Sequence, residues 1–158
     1  MTRWYVSCAD ILDVKADGLI CSANPSLNLS GGVGGAFQLR FGTAMQDFLH
    51  GYLRSIGRRF IDPGIAVIAP PCGSTYKAIA HAVAIDAFYD TNCDLIRDAY
   101  ENSIAQLSAA SCRTITAACL ACGYGRCSLA TFISAIESLI AKPYPNVDTI
   151  TLVTTNSE

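Results

Sequence analysis

Residues 18–37 read GLICSANPSLNLSGGVGGAF. The opening run, 18–22, is continuously apolar apart from its last serine, the pattern of a strand buried on both faces. Asn24-Pro25 then marks a turn. Four glycines follow within five positions, at 31, 32, 34 and 35, and a helical pattern starts near Gly35. A buried strand, a glycine-rich turn and a helix, in that order, form the unit of an α/β fold. In such folds ligands sit at the carboxyl ends of the strands.

The same alternation continues in both directions. Strand-like runs rich in Val, Ile, Ala and Cys cover residues 4–8, 64–69, 77–85, 114–120 and 149–155. Helical patterns cover 35–41, 43–56 with Thr43 as its cap, 93–109, and 128–142 with Ser128 as cap and Pro143 as stop. The third helix mixes Leu95 and Ala99 with Asn102, Ser103 and Gln106, so it is expected to be half exposed. Strands alternating with helices predict an α/β sandwich around a mainly parallel or mixed sheet. No repeat or linker divides the chain, so 1–158 reads as one domain.

Composition narrows the function. The chain has 158 residues, 51% hydrophobic and 15% charged, with a formal net charge of −2. That is a globular composition, and it supplies no basic field for extended nucleic acid. Arg54, Arg58 and Arg59 read as a solvated helix end. No apolar run is long enough to span a membrane. The N-terminal twenty residues lack the apolar block of a signal peptide. A cytoplasmic protein is expected, its eight cysteines reduced and serving mostly as small hydrophobes. Cys119-x-x-Cys122 followed by Cys127 has no second ligand pair at suitable spacing, so no metal is expected.

A second glycine-rich turn, Cys122-Gly123-Tyr124-Gly125-Arg126, follows the run 114–120. Glycine lets backbone N–H groups approach a ligand closely, and N–H groups ahead of a helix make an anion site. Two such turns facing one crevice suit a diphosphate. Neither the dinucleotide fingerprint nor a Walker loop fits: the third glycine would fall on Phe37, and no Gly-Lys-Ser/Thr follows.

Taken together, CADILDVKADGLICSAN, LSGGVGGAF, PPCGSTYKAIAHAV and ACGYGR resemble the macrodomain family of ADP-ribose-binding modules, over most of the chain. The resemblance implies a three-layer α/β/α sandwich with a mixed sheet of about six strands. It also implies the residue roles. Asp10, with the Ile11 amide beside it, would accept from the adenine amino group. Asn24 would hold the distal ribose. Gly31, Gly32, Val33 and Gly34 would wrap that ribose and the nearby phosphate. Cys122, Gly123, Tyr124 and Gly125 would cradle the diphosphate from the other side, with Tyr124 covering the ligand. The last strand ends VTTN where many relatives place an aromatic near adenine, so Thr154, Thr155 or Asn156 would reach the base or ribose by hydrogen bonds instead. Asp10 and Asn24 also have plain readings, as a cap and a turn residue, and His81 reads as a core histidine.

Two positions depart from the family pattern: Cys21 replaces the first asparagine of the family's Asn-Ala-Ala-Asn run, a change read as structural, and the second bears more on function. A hydrolytic branch carries an aspartate ten residues after the Asn24 position, and here it is Gly34, which has no base to offer. Asp86 is a candidate substitute, although a cap for the following helix is the favoured reading. The expected activity is hydrolysis of mono-ADP-ribosyl or O-acyl-ADP-ribose linkages, with Asn24 as the catalytic residue. Water would be positioned by the substrate phosphate, Asn24 and the two loops, with no cofactor. The partner would be ADP-ribose, or an ADP-ribosylated protein or small molecule, met by a monomer. The alternatives are a non-catalytic ADP-ribose reader and a pocket for another nucleotide or an RNA end.

Overall fold

The computed structural model describes residues 1–122 and 127–154. Among them, six strands form one sheet: β1 (Arg3–Cys8), β2 (Gly18–Ala23), β3 (Ala66–Ala69), β4 (Ala78–Val83), β5 (Thr114–Ala118) and β6 (Thr149–Thr154). Four helices connect them: α1 (Gly32–Phe41), α2 (Ala44–Ser55), α3 (Cys93–Ala109) and α4 (Leu129–Ile140). The strand order is β1-β6-β5-β2-β4-β3, all parallel except β3, which pairs antiparallel with β4. This is the mixed sheet of an α/β/α sandwich. The carboxyl ends of five parallel strands therefore open on one edge.

The period-2 alternation of strands divides the core into two layers. Ile20, Ala78, Ala80, Ala82, Ile115, Ala117, Ile150 and Leu152 face α3 and α4. Leu19, Cys21, Ile79, Val83, Ala118 and Val153 face α1 and α2. On β4 the two faces differ in size. Its α3 side is alanine throughout, which admits the bulky Ile96, Tyr100, Ile104 and Leu107 of α3. Each large apolar side chain fully buried in this way contributes about 1.5–3 kcal/mol.

The edge strand β3 is covered by α3. Asn102 Oδ1 accepts from the Ala66 N–H at 2.7 Å, and Gln106 Nε2 donates to the Ala66 carbonyl at 2.7 Å and to Asn102 Oδ1 at 2.8 Å. An open edge would otherwise present those backbone groups to another chain. The polar positions that mark α3 as half exposed thus have partners.

Four local expectations are corrected. Helix α1 starts at Gly32, not Gly35: Gly31 is extended (φ −170°) and the Gly35 N–H already donates to its carbonyl at 3.1 Å. β3 starts at Ala66, because Gly64 at φ +90° interrupts the strand. Thr43 precedes α2 without a side-chain capping bond. Asp86 does not cap α3; Asn92 does, accepting from the Leu95 N–H at 2.9 Å, while Asp86 closes its own turn. Ser128 caps α4 as expected, accepting from the Thr131 N–H at 3.2 Å.

Candidate functional site

A cavity of about 810 Å³ runs along the carboxyl edge of the sheet. That size lies within the range of small-molecule sites. The residues facing it come from successive strands in sheet order. Asp10 and Ile11 follow β1, Thr154 ends β6, and Ala118 and Cys119 lie at the end of β5. Asn24 and the glycine loop follow β2, and Ile85 and Tyr89 follow β4.

The loop between β2 and α1 is built from the inside out. Asn24, Pro25, Ser26 and Leu27 form a turn closed by Leu27 N–H to Asn24 O at 3.0 Å, with Leu27 at φ +57° and fully buried. The Asn24 side chain is engaged in the same turn. Its Oδ1 accepts from Ser26 Oγ and the Asn28 N–H, both at 3.0 Å, and Nδ2 donates to Asn28 O at 3.1 Å. With both Oδ1 lone pairs occupied, what Asn24 retains toward the cavity is one N–H. The turn reading and the ligand reading of Asn24 are therefore compatible, but only as a donor.

Beyond it, α1 begins with no side-chain cap. The first N–H groups of a helix have no intrahelical acceptor, and Gly32, Val33 and Gly34 carry theirs along the cavity wall. Gly32 sits at φ +56°, a region glycine enters without penalty. The helix dipole adds partial positive charge there. At Gly34 a Cβ would stand 2.9 Å from Leu29 Cδ2, so the bare backbone is matched by packing beneath it.

Asp10 lies at the other end and fulfils its alternative role as well. It is the N-cap of the turn Ile11–Asp13, accepting from the Leu12 N–H at 3.0 Å. Its second oxygen is 3.5 Å from Arg40 of α1, which also pairs with Asp13 at 2.9 Å. The Asp10 side chain remains half exposed and lines the cavity.

The middle of the floor is tied from below. Tyr100 of α3, fully buried, donates its hydroxyl to Ala118 O at 2.6 Å and accepts from the Leu120 N–H at 2.9 Å. Cys119 and Cys122 face the cavity there. Desolvation, then the neighbouring Cys127 and Cys119 thiols, push Cys122 up to about 12, and burial also raises Cys119. Both are protonated near neutrality and neither is poised as a nucleophile. Gly123, Tyr124, Gly125, Thr155 and Asn156 lie outside the described residues. Among the described residues, no three His, Cys, Asp or Glu side chains are grouped to hold a metal ion.

His81 is a core residue, as expected, 2% exposed and facing no part of the cavity, but it is only half satisfied: Nε2 is 3.2 Å from Met45 Sδ and the buried Nδ1 has no hydrogen-bond partner among the described residues. Asp86 does not face the cavity either. Three residues escaped the sequence reading. Gln46 of α2 accepts from the Leu29 N–H at 2.7 Å and donates to Leu27 O at 2.9 Å, clamping the loop from outside. Arg40 steadies Asp10. Tyr89 presents an aromatic ring at the cavity wall. None belongs to a motif; only the last left a trace in the sequence, as an aromatic pair in a polar loop.

A family model described as Macro domain matches residues 20–136. Among solved structures, a macrodomain variant from Oceanobacillus iheyensis with ADPR superposes with a TM-score of 0.84 at 18% identity, covering 96% of this chain and 84% of that one. The macrodomain of Mycobacterium tuberculosis DarG gives 0.76 at 13% identity, over 96% and 98%. A Trypanosoma brucei macrodomain in complex with ADP gives 0.78 at 14%, over 99% and 64%. No curated protein matches the chain.

Proposed function

Because the chain belongs to the Macro domain family, we propose that it binds ADP-ribose in this cavity and hydrolyses mono-ADP-ribosyl or O-acyl-ADP-ribose linkages. The carrying observation is the uncapped N-terminus of α1, opening onto a cavity with a carboxylate at its far end. Asp10 would accept from the adenine amino group, beside the Ile11 amide. The N–H groups of Gly31, Gly32, Val33 and Gly34 would hold the diphosphate and distal ribose. Cys122, Gly123, Tyr124 and Gly125 would close over the diphosphate, with Asn156 near the base. Solved relatives with ADPR and with ADP support this choice of ligand.

The proposed hydrolytic step uses what the wall contains. Asp10 is the one carboxylate among the described residues facing the cavity, and it stands at the adenine end. Gly34 offers no side chain. Asn24 keeps one N–H, which can orient a ribose hydroxyl but cannot take a proton. Water would then be held between Asn24, the loop backbone and a substrate phosphate oxygen. That oxygen receives the proton as water attacks: at the anomeric carbon the C–O bond to the carboxylate breaks and the carboxylate departs, whereas at the ester carbonyl the ribose oxygen departs and takes the proton back from the phosphate. Rate would come from positioning.

Calorimetric titration with ADP-ribose, AMP and NAD tests the binding. Micromolar, one-to-one, ADP-ribose-selective binding is expected, and a folded sample that binds none overturns the reading. Turnover on a mono-ADP-ribosylated protein tests the activity. Binding without turnover would favour the reader, for which the missing carboxylate at Gly34 is the specific observation.

A further inference from the structure

The strand order gives the cavity a polarity. From β1 to β2 is three inter-strand spacings, about 14 Å, and from β1 to β4 is four, about 19 Å. Asp10 follows β1, Asn24 follows β2 and Tyr89 follows β4. Tyr89 therefore stands one strand beyond Asn24, at the end of the cavity away from Asp10.

Its position is built in. Tyr89 has φ +64°, a region that costs a non-glycine residue about 1–2 kcal/mol. The surrounding turn enforces it. Asp86 Oδ1 accepts from the Phe88 N–H at 2.8 Å and the Asp90 N–H at 2.9 Å. The Tyr89 N–H donates to Asp86 O at 3.0 Å, and the Asp86 N–H to Asp90 O at 2.9 Å. Thr91 Oγ1 ties the turn back to Ala84 O. The result is a half-exposed aromatic on the cavity wall (45% exposed). Asp86, which neither caps α3 nor reaches the cavity, finds its use here.

We propose that Tyr89 is a specificity-determining residue that contacts the group attached to the distal ribose rather than ADP-ribose itself. This rests on the reading of adenine at Asp10 and the distal ribose at Asn24. The occupant is then the amino-acid side chain or peptide that carries the modification. A ring with a hydroxyl suits the apolar stem and amide edges of such a chain.

The test is titration of the wild type, Tyr89→Ala and Tyr89→Gly with two ligands. One is free ADP-ribose; the other is a peptide joined to the distal ribose by a hydrolysis-resistant linkage. Both variants are expected to bind free ADP-ribose within twofold of wild type and the conjugate about tenfold more weakly. Tyr89→Gly removes the backbone penalty, so a fold defect confined to Tyr89→Ala is recognised by thermal unfolding. Equal weakening for both ligands, or unchanged affinity for the conjugate, overturns the proposal. A wild type that binds no ADP-ribose overturns the underlying reading instead, and does so before any variant is made.

Discussion

His81 shows what burial does to a single side chain. Desolvation pushes its pKa down to about 4, against about 6.5 in an unfolded chain. A depressed basic group is protonated more readily unfolded than folded, so stability falls as pH drops from about 6.5 toward 4. At pH 5 the loss from this residue is about 2 kcal/mol. Urea unfolding of wild type and His81→Leu at pH 7 and pH 5 checks it: the variant should lose about that much less between the two. Asp10, held by the Leu12 N–H and Arg40 yet half exposed on the cavity wall, is tested at the same scale. Asp10→Ala should weaken ADP-ribose binding about tenfold, a loss on the order of 1.4 kcal/mol, and abolish preference for adenine over other bases in calorimetry. Asp10 was singled out through the resemblance of CADILDVKADGLICSAN to the family's entry segment, and the structure places it on the cavity wall. Gln46 and Arg40 were not, because their targets lie 17–19 and 27–30 residues away along the chain.

Elements, rather than residues, carry the site's rigidity. Tyr100 sits mid-helix in α3 yet holds the end of β5, where the second glycine loop departs. Tyr100→Phe would leave Ala118 O and the Leu120 N–H buried without that hydroxyl, and each such loss costs about 1–3 kcal/mol. A fall in Tm together with weaker ADP-ribose binding is expected; unchanged binding would show that the floor of the cavity does not depend on α3. At the other edge, Asn102→Ala would strip the Ala66 N–H of its acceptor. Amide hydrogen exchange at Ala66 should accelerate while β4 amides stay protected. The runs of β2 and β4 were readable because these central strands are buried on both faces, whereas the edge strand β1 is mostly exposed. The start of α1 was misplaced by three residues because glycine has no side chain to signal a helix; only the Gly35–Gly31 bond reveals it.

For the whole molecule, the proposed ligand should act as a stabiliser. A ligand that binds only the folded state adds about 2.7 kcal/mol at a hundredfold excess over Kd. In a chain of this size that raises Tm by roughly 5–10 °C. Thermal unfolding with and without ADP-ribose measures it, and no shift at saturating ligand would count against the cavity as the site. All eight cysteines are free thiols, so a reducing agent should leave Tm unchanged.

The sequence by itself determined the kinds of elements, their order, the glycine turns and the family, since all of these are written in local periodicity and contiguous motifs. Tertiary structure decided the rest. Only the strand order turns Asp10, Asn24 and Tyr89 into three successive stations along one cavity. Only packing shows that Asn24 has one hydrogen left to give, that Asp86 shapes a turn rather than a helix end, and that a side chain at position 34 would have to displace the Leu29 Cδ2 methyl. Which group remains free to meet a ligand depends on partners far away in the chain, and a linear pattern does not encode them.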